Sequence, residues 1–356
     1  MHYITRPGRL AGLLSFAIAL ASAAVVASAD GGSEFPTIDF PSIDFQGLLE
    51  IEADYSSPYT GADESDIVLD RAELGLEVLL NEWLSAEVST LYKEDDTPFE
   101  LDTAAVSVIH PDQIWSVRAG QLYLPFGLYE SAMISEPLTY ELGETRKTAI
   151  SAQAGIGGFR AGLYAFNGDL GGKNRIDNWG GILAYEAQIG EADLLLSGGY
   201  INHLGESREM ERYLTEEVSA GQVNGDKVAA WTTAVVLDIH DVITLVGEYL
   251  AAIDDFTVDE MTFREAGARP AAWNVEAAHE FGLHGRQAEV AIGYQGSEEA
   301  IALGLPKSRA LAVFAVDVWR NTTLSFEYAH DRDYGVAVGG TGKTAGTFIT
   351  QLAVVF

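Results

Sequence analysis

Carboxylates are the reactive groups this chain holds in quantity. Glu130, Glu136, Glu141 and Glu144 fall within one stretch and are followed at once by Arg146 and Lys147. Carboxylates gathered round an opening favour cations over anions. Three acidic pairs, Asp95-Asp96, Asp254-Asp255 and Asp259-Glu260, supply oxygen ligands of the kind that divalent cations take. Their spacing matches no cation-loop template, so solvated loops that bridge lipopolysaccharide phosphates through divalent ions are the plainer reading. No resident metal or cofactor is expected. Catalysis finds little support either. The histidines (His2, His110, His203, His240, His279, His284 and His330) are scattered, and neither G-x-S-x-G nor H-E-x-x-H occurs. With no cysteine there is no thiol chemistry and no disulfide. The expectation is a protein that is not an enzyme. A formal net charge of −32, from 53 acidic and 21 basic residues, also argues against nucleic acid as a partner.

The acidic stretch sits in an unusual connection. Residues 115–124 alternate as a strand, the chain breaks at Pro125-Phe126-Gly127, and a second strand starts only near Thr145. Structureless connections that long are uncommon in compact proteins and usually functional. Phe126, Leu128, Tyr129, Met133, Ile134, Leu138, Tyr140 and Leu142 give this one apolar surface to bury. It should fold back onto something, and the rest of the chain suggests the inside of a membrane barrel.

The N-terminus reads as an export signal. Arg6 and Arg9 precede an apolar run, Leu10–Val26, and the small residues Ala27-Ser28-Ala29 offer a cleavage site. Residues 1–29 are read as a cleaved signal peptide and 30–46 as an extended periplasmic leader, with Pro-Thr-Ile-Asp-Phe echoed by Pro-Ser-Ile-Asp-Phe. Residues 47–356 are read as the barrel. They divide into sixteen segments of about ten residues with period-two alternation, the length that crosses a bilayer when tilted. Connections after even-numbered segments are tight, as at Asn81-Glu82, Gly190–Ala192 and His240-Asp241. Those after odd-numbered segments are longer, as at Ser56–Asp66, Lys93–Glu100, His203–Lys227 and Asp254–Pro270. Helical periodicity is confined to Glu206–Val218, between strands. The fold expected is an all-β, transmembrane, antiparallel up-and-down barrel of about sixteen strands in the bacterial outer membrane, both termini on the short-turn side.

Alternation sorts the side chains into two faces. Val68, Ala72, Leu74, Leu76 and Val78 share one, for lipid, while Arg71, Glu73 and Glu77 share the other, for water. Residues assigned to the lumen wall are Arg71, Glu73, Glu77, Glu87, Arg118, Glu248, Glu276, Glu289, Arg309 and Glu327. The third external loop, 124–144, is expected in the lumen as a constriction. Pro125, Phe126, Gly127, Tyr129, Glu130, Glu136, Tyr140, Glu141 and Glu144 would form it, with Arg146 and Lys147 at its exit. The acids either make the channel cation-favouring or pair with basic wall residues and set little selectivity. Arg118, Arg146 and Arg160 leave the phase of strands five to seven open. Phe348, Leu352, Val354 and the terminal Phe356 share a face, which resembles the signal read by the barrel-assembly machinery. Outer-membrane lipid and lipopolysaccharide are the surroundings implied, and a homotrimer is compatible with this reading.

The stretches AGQLYLPFG (119–127) and MISEPLTYELGETRKTA (133–149) are similar to the LbtU family of siderophore porins. SDIVLDRAELGLEV (65–78), WLSAEV (83–88), YKEDDTPFELD (92–102) and FNGD (166–169) add to the resemblance, which is dense over 47–170 and thinner beyond. It implies a sixteen-stranded outer-membrane porin that admits ferric siderophore. Asp30–Gln46 leaves no room for the plug of energised receptors, so uptake would be diffusive. The function expected is passive diffusion of small solutes or ferric siderophore. The alternatives are a general, cation-leaning porin and a structural or adhesive barrel that uses loops 203–227 and 254–270.

Overall fold

The computed structural model describes residues 41–94, 96–170, 175–218, 223 and 226–356. The signal peptide, the leader as far as residue 40 and Asp95 lie outside the described residues. Sixteen antiparallel strands close into one barrel. In chain order they are β1 (Ser42–Ser57), β2 (Glu64–Leu79), β3 (Leu84–Lys93), β4 (Thr97–Ile109), β5 (Trp115–Tyr123), β6 (Arg146–Ile156), β7 (Phe159–Asn167), β8 (Ile176–Ile189), β9 (Ala192–Ile201), β10 (Ala230–Ile239) and β11 (Ile243–Ala252). After the off-barrel hairpin β12 (Thr262–Phe263) and β13 (Ala266–Gly267) come β14 (Ala271–Leu283), β15 (Arg286–Glu298), β16 (Ser308–Trp319), β17 (Thr322–Arg332) and β18 (Thr344–Val355). Each strand pairs with its neighbours in sequence, and β1 pairs with β18 to close the ring. All sixteen segments read from alternation are strands of the barrel.

Closure removes every sheet edge, the condition for a sheet to exist in lipid, where an unpaired backbone group has no water to turn to. At the seam Gly47 and Phe356 exchange both backbone hydrogen bonds, at 2.7 and 3.0 Å. The Phe356 ring lies so near Gly47 that a Cβ there would stand 2.4 Å from it. β1 starts at Ser42, with Ser42 opposite Leu79, so 42–46 belong to the barrel rather than to the leader.

Short turns occupy one end. Gly157-Gly158, His240-Asp241 and His284-Gly285 have φ between 50° and 85° at both positions. That is the signature of the type I′ turn, whose twist matches the strands it joins. Long connections occupy the other end, with one exception. Lys93 pairs with Thr97, so the second external loop is three residues, 94–96, and not Lys93–Glu100.

Outward residues form an apolar belt in which Ile292 is 66% exposed. Aromatic pairs bound it. Trp179–Tyr200, Trp231–Tyr249 and Trp273–Tyr294 lie 5.2–5.3 Å apart near the long-loop end. Trp83, His110 and Trp115 cluster near the other, where Phe159 and Tyr185 also meet. Such rings suit the two membrane–water interfaces. Among the described residues no helix is long and apolar enough to cross a membrane, and the strands do the crossing.

One phase assignment changes. The β1–β2 register slips at Asp70, so that Arg71 faces Glu50 but Leu69 faces Ile51. A bulge inserts one residue and exchanges the faces beyond it. Val68 therefore lies opposite Glu52 on the inner face, and Ile67 and Leu69 take the lipid face. The open phase of strands five to seven is settled by burial. On β6, Lys147, Ala149 and Ser151 are buried while Thr148 and Ile150 are exposed. Arg118 pairs with Ser151 and shares its inner face. Arg160 alternates with exposed Phe159 and Ala161, on the face of buried Gly162 and Tyr164, and its guanidinium meets Glu186 at 3.4 Å.

Candidate functional site

The connection between β5 and β6 is ordered by wall carboxylates far from it in sequence. Its base is tied where Leu124 N–H donates to the Thr145 carbonyl at 2.8 Å. Phe126 is 0% exposed, and its carbonyl lies against Gly199 of β9, where a Cβ would stand 1.9 Å from the oxygen. Only glycine permits that approach. Glu248 of β11 then accepts from Leu128 N–H (2.9 Å), Tyr129 N–H (3.0 Å) and the Thr139 hydroxyl (3.0 Å). Glu276 of β14 accepts from the Ser131 hydroxyl (2.8 Å) and Ala132 N–H (2.9 Å). Glu327 of β17 accepts from Ile134 N–H (2.6 Å), Ser135 N–H (3.3 Å) and the Ser135 hydroxyl. Gln295 of β15 accepts from Leu138 N–H at 3.2 Å.

Apolar contacts follow the same track. Leu128 packs with Ala234, Val236 and Val246, and Met133 with Ala291, Leu311, Val313 and Ala329. β15 is eight places round the ring from β5, diametrically across the barrel. These partners lie on the face opposite the exposed apolar belt.

Why the segment turns where it does is legible locally. Pro137, in extended conformation, precedes the one-and-a-half-turn helix α1 (Leu138–Gly143), and its carbonyl accepts from Tyr140 and Glu141 N–H. Proline suits this position because it has no N–H to leave unpaired. Leu138 and Leu142 bury the helix against Leu250. Gly143 must be small, since a Cβ would meet Leu250 at 2.3 Å. Glu136, just before the helix, reaches Arg71 at 3.5 Å, and Arg71 also faces Glu50 at 3.5 Å.

A second layer rests on the first. The fifth external connection carries α2 (Arg208–Glu216), the one helix that periodicity indicated. The Ser207 hydroxyl donates to the Leu142 carbonyl and Arg208 N–H to the Glu144 carbonyl, each at 2.9 Å. Lys147 Nζ holds three carboxylates, Asp169 (2.7 Å), Glu206 (3.0 Å) and Glu211 (2.6 Å). Among the described residues this trio is the group whose spacing would suit a metal ion, and here the lysine ammonium fills the cation's place. Glu206, 1% exposed, also accepts from Asp169 and Leu170 N–H. Of the acidic pairs considered for divalent ions, Glu260 is turned inward on Thr257 and Asp255 pairs with Arg269 at 3.4 Å.

Burial governs the loop carboxyls. It raises Glu141 and Glu144 to about 7, with Glu136 adding to the rise at Glu141 and Arg208 opposing it at Glu144. Burial raises Glu136 as well, against the Arg71 charge.

The remaining sequence-assigned residues fall into place round these layers. Pro125 and Gly127 are buried with Phe126; Tyr129 meets Tyr140 edge-to-face at 5.7 Å. Glu130 is half-buried. Arg118 pairs with Glu87, Arg309 is bidentate to Asp331 (2.8 and 2.9 Å), and Arg146 bonds Glu100 and Asp102. Glu73 and Glu289 are buried on the inner face, and Glu77 lies opposite Glu87. Phe348, Leu352, Val354 and Phe356 sit on β18 and its end, with Phe348 against Phe326 at 6.5 Å.

Sequence reasoning offered two roles for the wall acids, a selectivity ring or pairing with basic residues. Glu248, Glu276 and Glu327 take a third, accepting backbone N–H groups of the segment. Lys147's partners, and the seat of α2 on α1, were also not foreseen. Glycines at 143 and 199 were the available signal, since each marks a close approach.

No family model matches the chain. Among curated proteins it is similar to a UPF0422 protein of Legionella pneumophila strain Paris, 31% identical over 366 residues, covering 90% of this chain and 68% of that one. It is also similar to a UPF0422 protein of Coxiella burnetii, 29% identical, covering 89% and 70%. Among solved structures it resembles an anion-selective porin from Comamonas acidovorans, with TM-score 0.61 and 14% identity over 88% of this chain and 99% of that one. The outer-membrane channel DcaP of Acinetobacter baumannii gives TM-score 0.61 and 12% identity over 90% and 99%. At these identities the likeness is one of fold.

Proposed function

This chain belongs to the UPF0422 family, and from that premise we propose that it is a porin giving small solutes passive passage, narrowed by segment 124–145. It is an outer-membrane barrel of the porin type. Sixteen strands are wide enough for an aqueous channel. The observation that carries the narrowing is the row of wall carboxylates, Glu248, Glu276 and Glu327, bonded to consecutive parts of one connection. That one segment leaves β5 and is held on β11, β14 and β17 supports a course across the lumen. The ferric siderophore cargo rests on the motif resemblance, dense over 47–170, alone. A trimer is compatible with the porin neighbours, among them OmpT of Vibrio cholerae in a trimer form.

Deleting Ser131–Leu142 should enlarge single-channel conductance in planar bilayers and weaken size discrimination among solutes. Unchanged conductance would sink the constriction. A barrel that passes no current at all would favour the adhesive alternative.

Selectivity should respond to pH near neutrality. The Glu141 and Glu144 carboxyls, raised to about 7 by burial, are protonated below that value and ionised above it. The reversal potential under a potassium chloride gradient should therefore turn more cation-favouring as pH rises through about 7, rather than near the ordinary carboxylate range of roughly 4. Glu141→Gln with Glu144→Gln should shrink that step; a step of unchanged size would place the titration elsewhere.

A further inference from the structure

We propose that the pocket between the outer end of β5–β6 and α2 binds small zwitterionic solutes, with the carboxylate on Arg146, Arg208 and Arg212 and the ammonium on Glu144 and Glu216. The inference rests on the porin reading for its use, and it adds a class of solute to it. In a chain of net charge −32, three guanidinium groups border one cavity of about 250 Å³. Arg208 and Arg212 are four residues apart on α2 and so share a helix face, a like-charge arrangement that by itself disfavours the helix.

Each guanidinium has five N–H donors, and none is exhausted by the partners seen among the described residues. Arg208 spends Nη2 on Asp96 and Thr97, while its Nη1 stands 4.0 Å from Glu144, beyond hydrogen-bond reach. Arg212 spends Nε and Nη2 on Glu209. Arg146 gives one bond from each terminal nitrogen, to Asp102 and Glu100.

The carboxylates at the pocket divide in the same way. Glu206 and Glu211 are held by Lys147. Glu144 and Glu216 border the cavity without a lysine. A solute that is only anionic meets these two acids, and one that is only cationic meets three arginines. A solute carrying both charges satisfies both sides. The volume lies below the roughly 300–1,000 Å³ of drug-sized sites, which points to the scale of an amino acid or dipeptide.

The test uses L-alanyl-L-alanine with the refolded full chain in detergent, followed by saturation-transfer NMR, where no current is required. The expected result is binding of the zwitterion and much weaker binding of its N-acetyl and C-amide forms. Arg208→Gln with Arg212→Gln should weaken binding by roughly tenfold or more, the scale of a lost charge-assisted pair. Arg208 also ties down Asp96, so Arg212→Gln alone and Glu216→Gln, both near the solvent side of α2, keep the test independent of folding. Glu216→Gln should weaken the zwitterion and leave the N-acetyl form unmoved. Equal binding of the N-acetyl form, or affinity unchanged in both single variants, overturns the inference. In bilayers, an open channel that binds no dipeptide overturns this inference and leaves the porin reading standing. A barrel that binds the dipeptide yet passes no current overturns the porin reading and leaves the site.

Discussion

A protein in which Glu248, Glu276 and Glu327 are all alanine should keep its barrel and lose the fixed position of segment 124–145. The three carboxylates accept from five backbone N–H groups of the segment (Leu128, Tyr129, Ala132, Ile134 and Ser135), as well as from three of its hydroxyls. Hydrogen bonds to a charged acceptor contribute about 1.5–3 kcal/mol each, and a buried N–H left without any acceptor costs a similar amount. The strand ladder is independent of these groups, because each strand's backbone bonds go to its neighbours. The loss should therefore fall on the segment and not on the barrel. Single-channel conductance should rise, and proteases added to the purified protein should cut within 124–145. Glu248 holds both ends of the segment, Leu128–Tyr129 and Thr139, so Glu248→Ala alone should show the largest single effect. Glutamine at the same positions keeps one carbonyl oxygen and should give a smaller change. If conductance and proteolysis both stay at the level of the unaltered protein, these carboxylates do not hold the segment.

Lys147→Met should be the most damaging single change among the charged residues at this end of the barrel. Methionine keeps the length of the side chain and removes its charge. Asp169, Glu206 and Glu211, whose oxygens lie close enough together for one cation, would then face one another unneutralised. Removing one member of a buried ion pair costs about 3–5 kcal/mol, because the remaining charge has lost its solvent and its partner. Asp169 is open to water and will screen part of this, while Glu206 is buried and will not. The expected result is a lower unfolding temperature by circular dichroism, with α2 released first. Millimolar calcium should restore part of the loss, since three carboxylates are suitable ligands for it. Lys147→Arg keeps the charge and should lose less. A melting temperature unmoved by Lys147→Met, with or without calcium, would remove the lysine from this role.

Much of the architecture was legible because it is written in short-range patterns. In β15, Val290, Ile292 and Tyr294 alternate with Glu289, Ala291 and Gly293, and the two sets take opposite faces. The failures were also local in cause. Asp70 inserts a bulge that exchanges the faces of β2 beyond it, and nothing in a hydrophobic count marks an inserted residue. Lys93–Glu100 looks like a loop because Glu94, Asp95 and Asp96 are polar, yet Lys93 and Thr97 are near enough to pair across a three-residue turn.

The sequence by itself determined a closed, membrane-spanning barrel of sixteen strands, since the period of two is a property of the extended backbone and repeats wherever a strand has one wet face. It also singled out 124–144, by length and apolar content. Only the tertiary structure decided what each charged group does there. Leu128 and Glu248 are 120 residues apart, and Ile134 and Glu327 are 193 apart. A carboxylate on an inner face reads the same in sequence whether it meets water, an arginine or a backbone N–H. Which of these it meets depends on strands brought across from it when the ring closes.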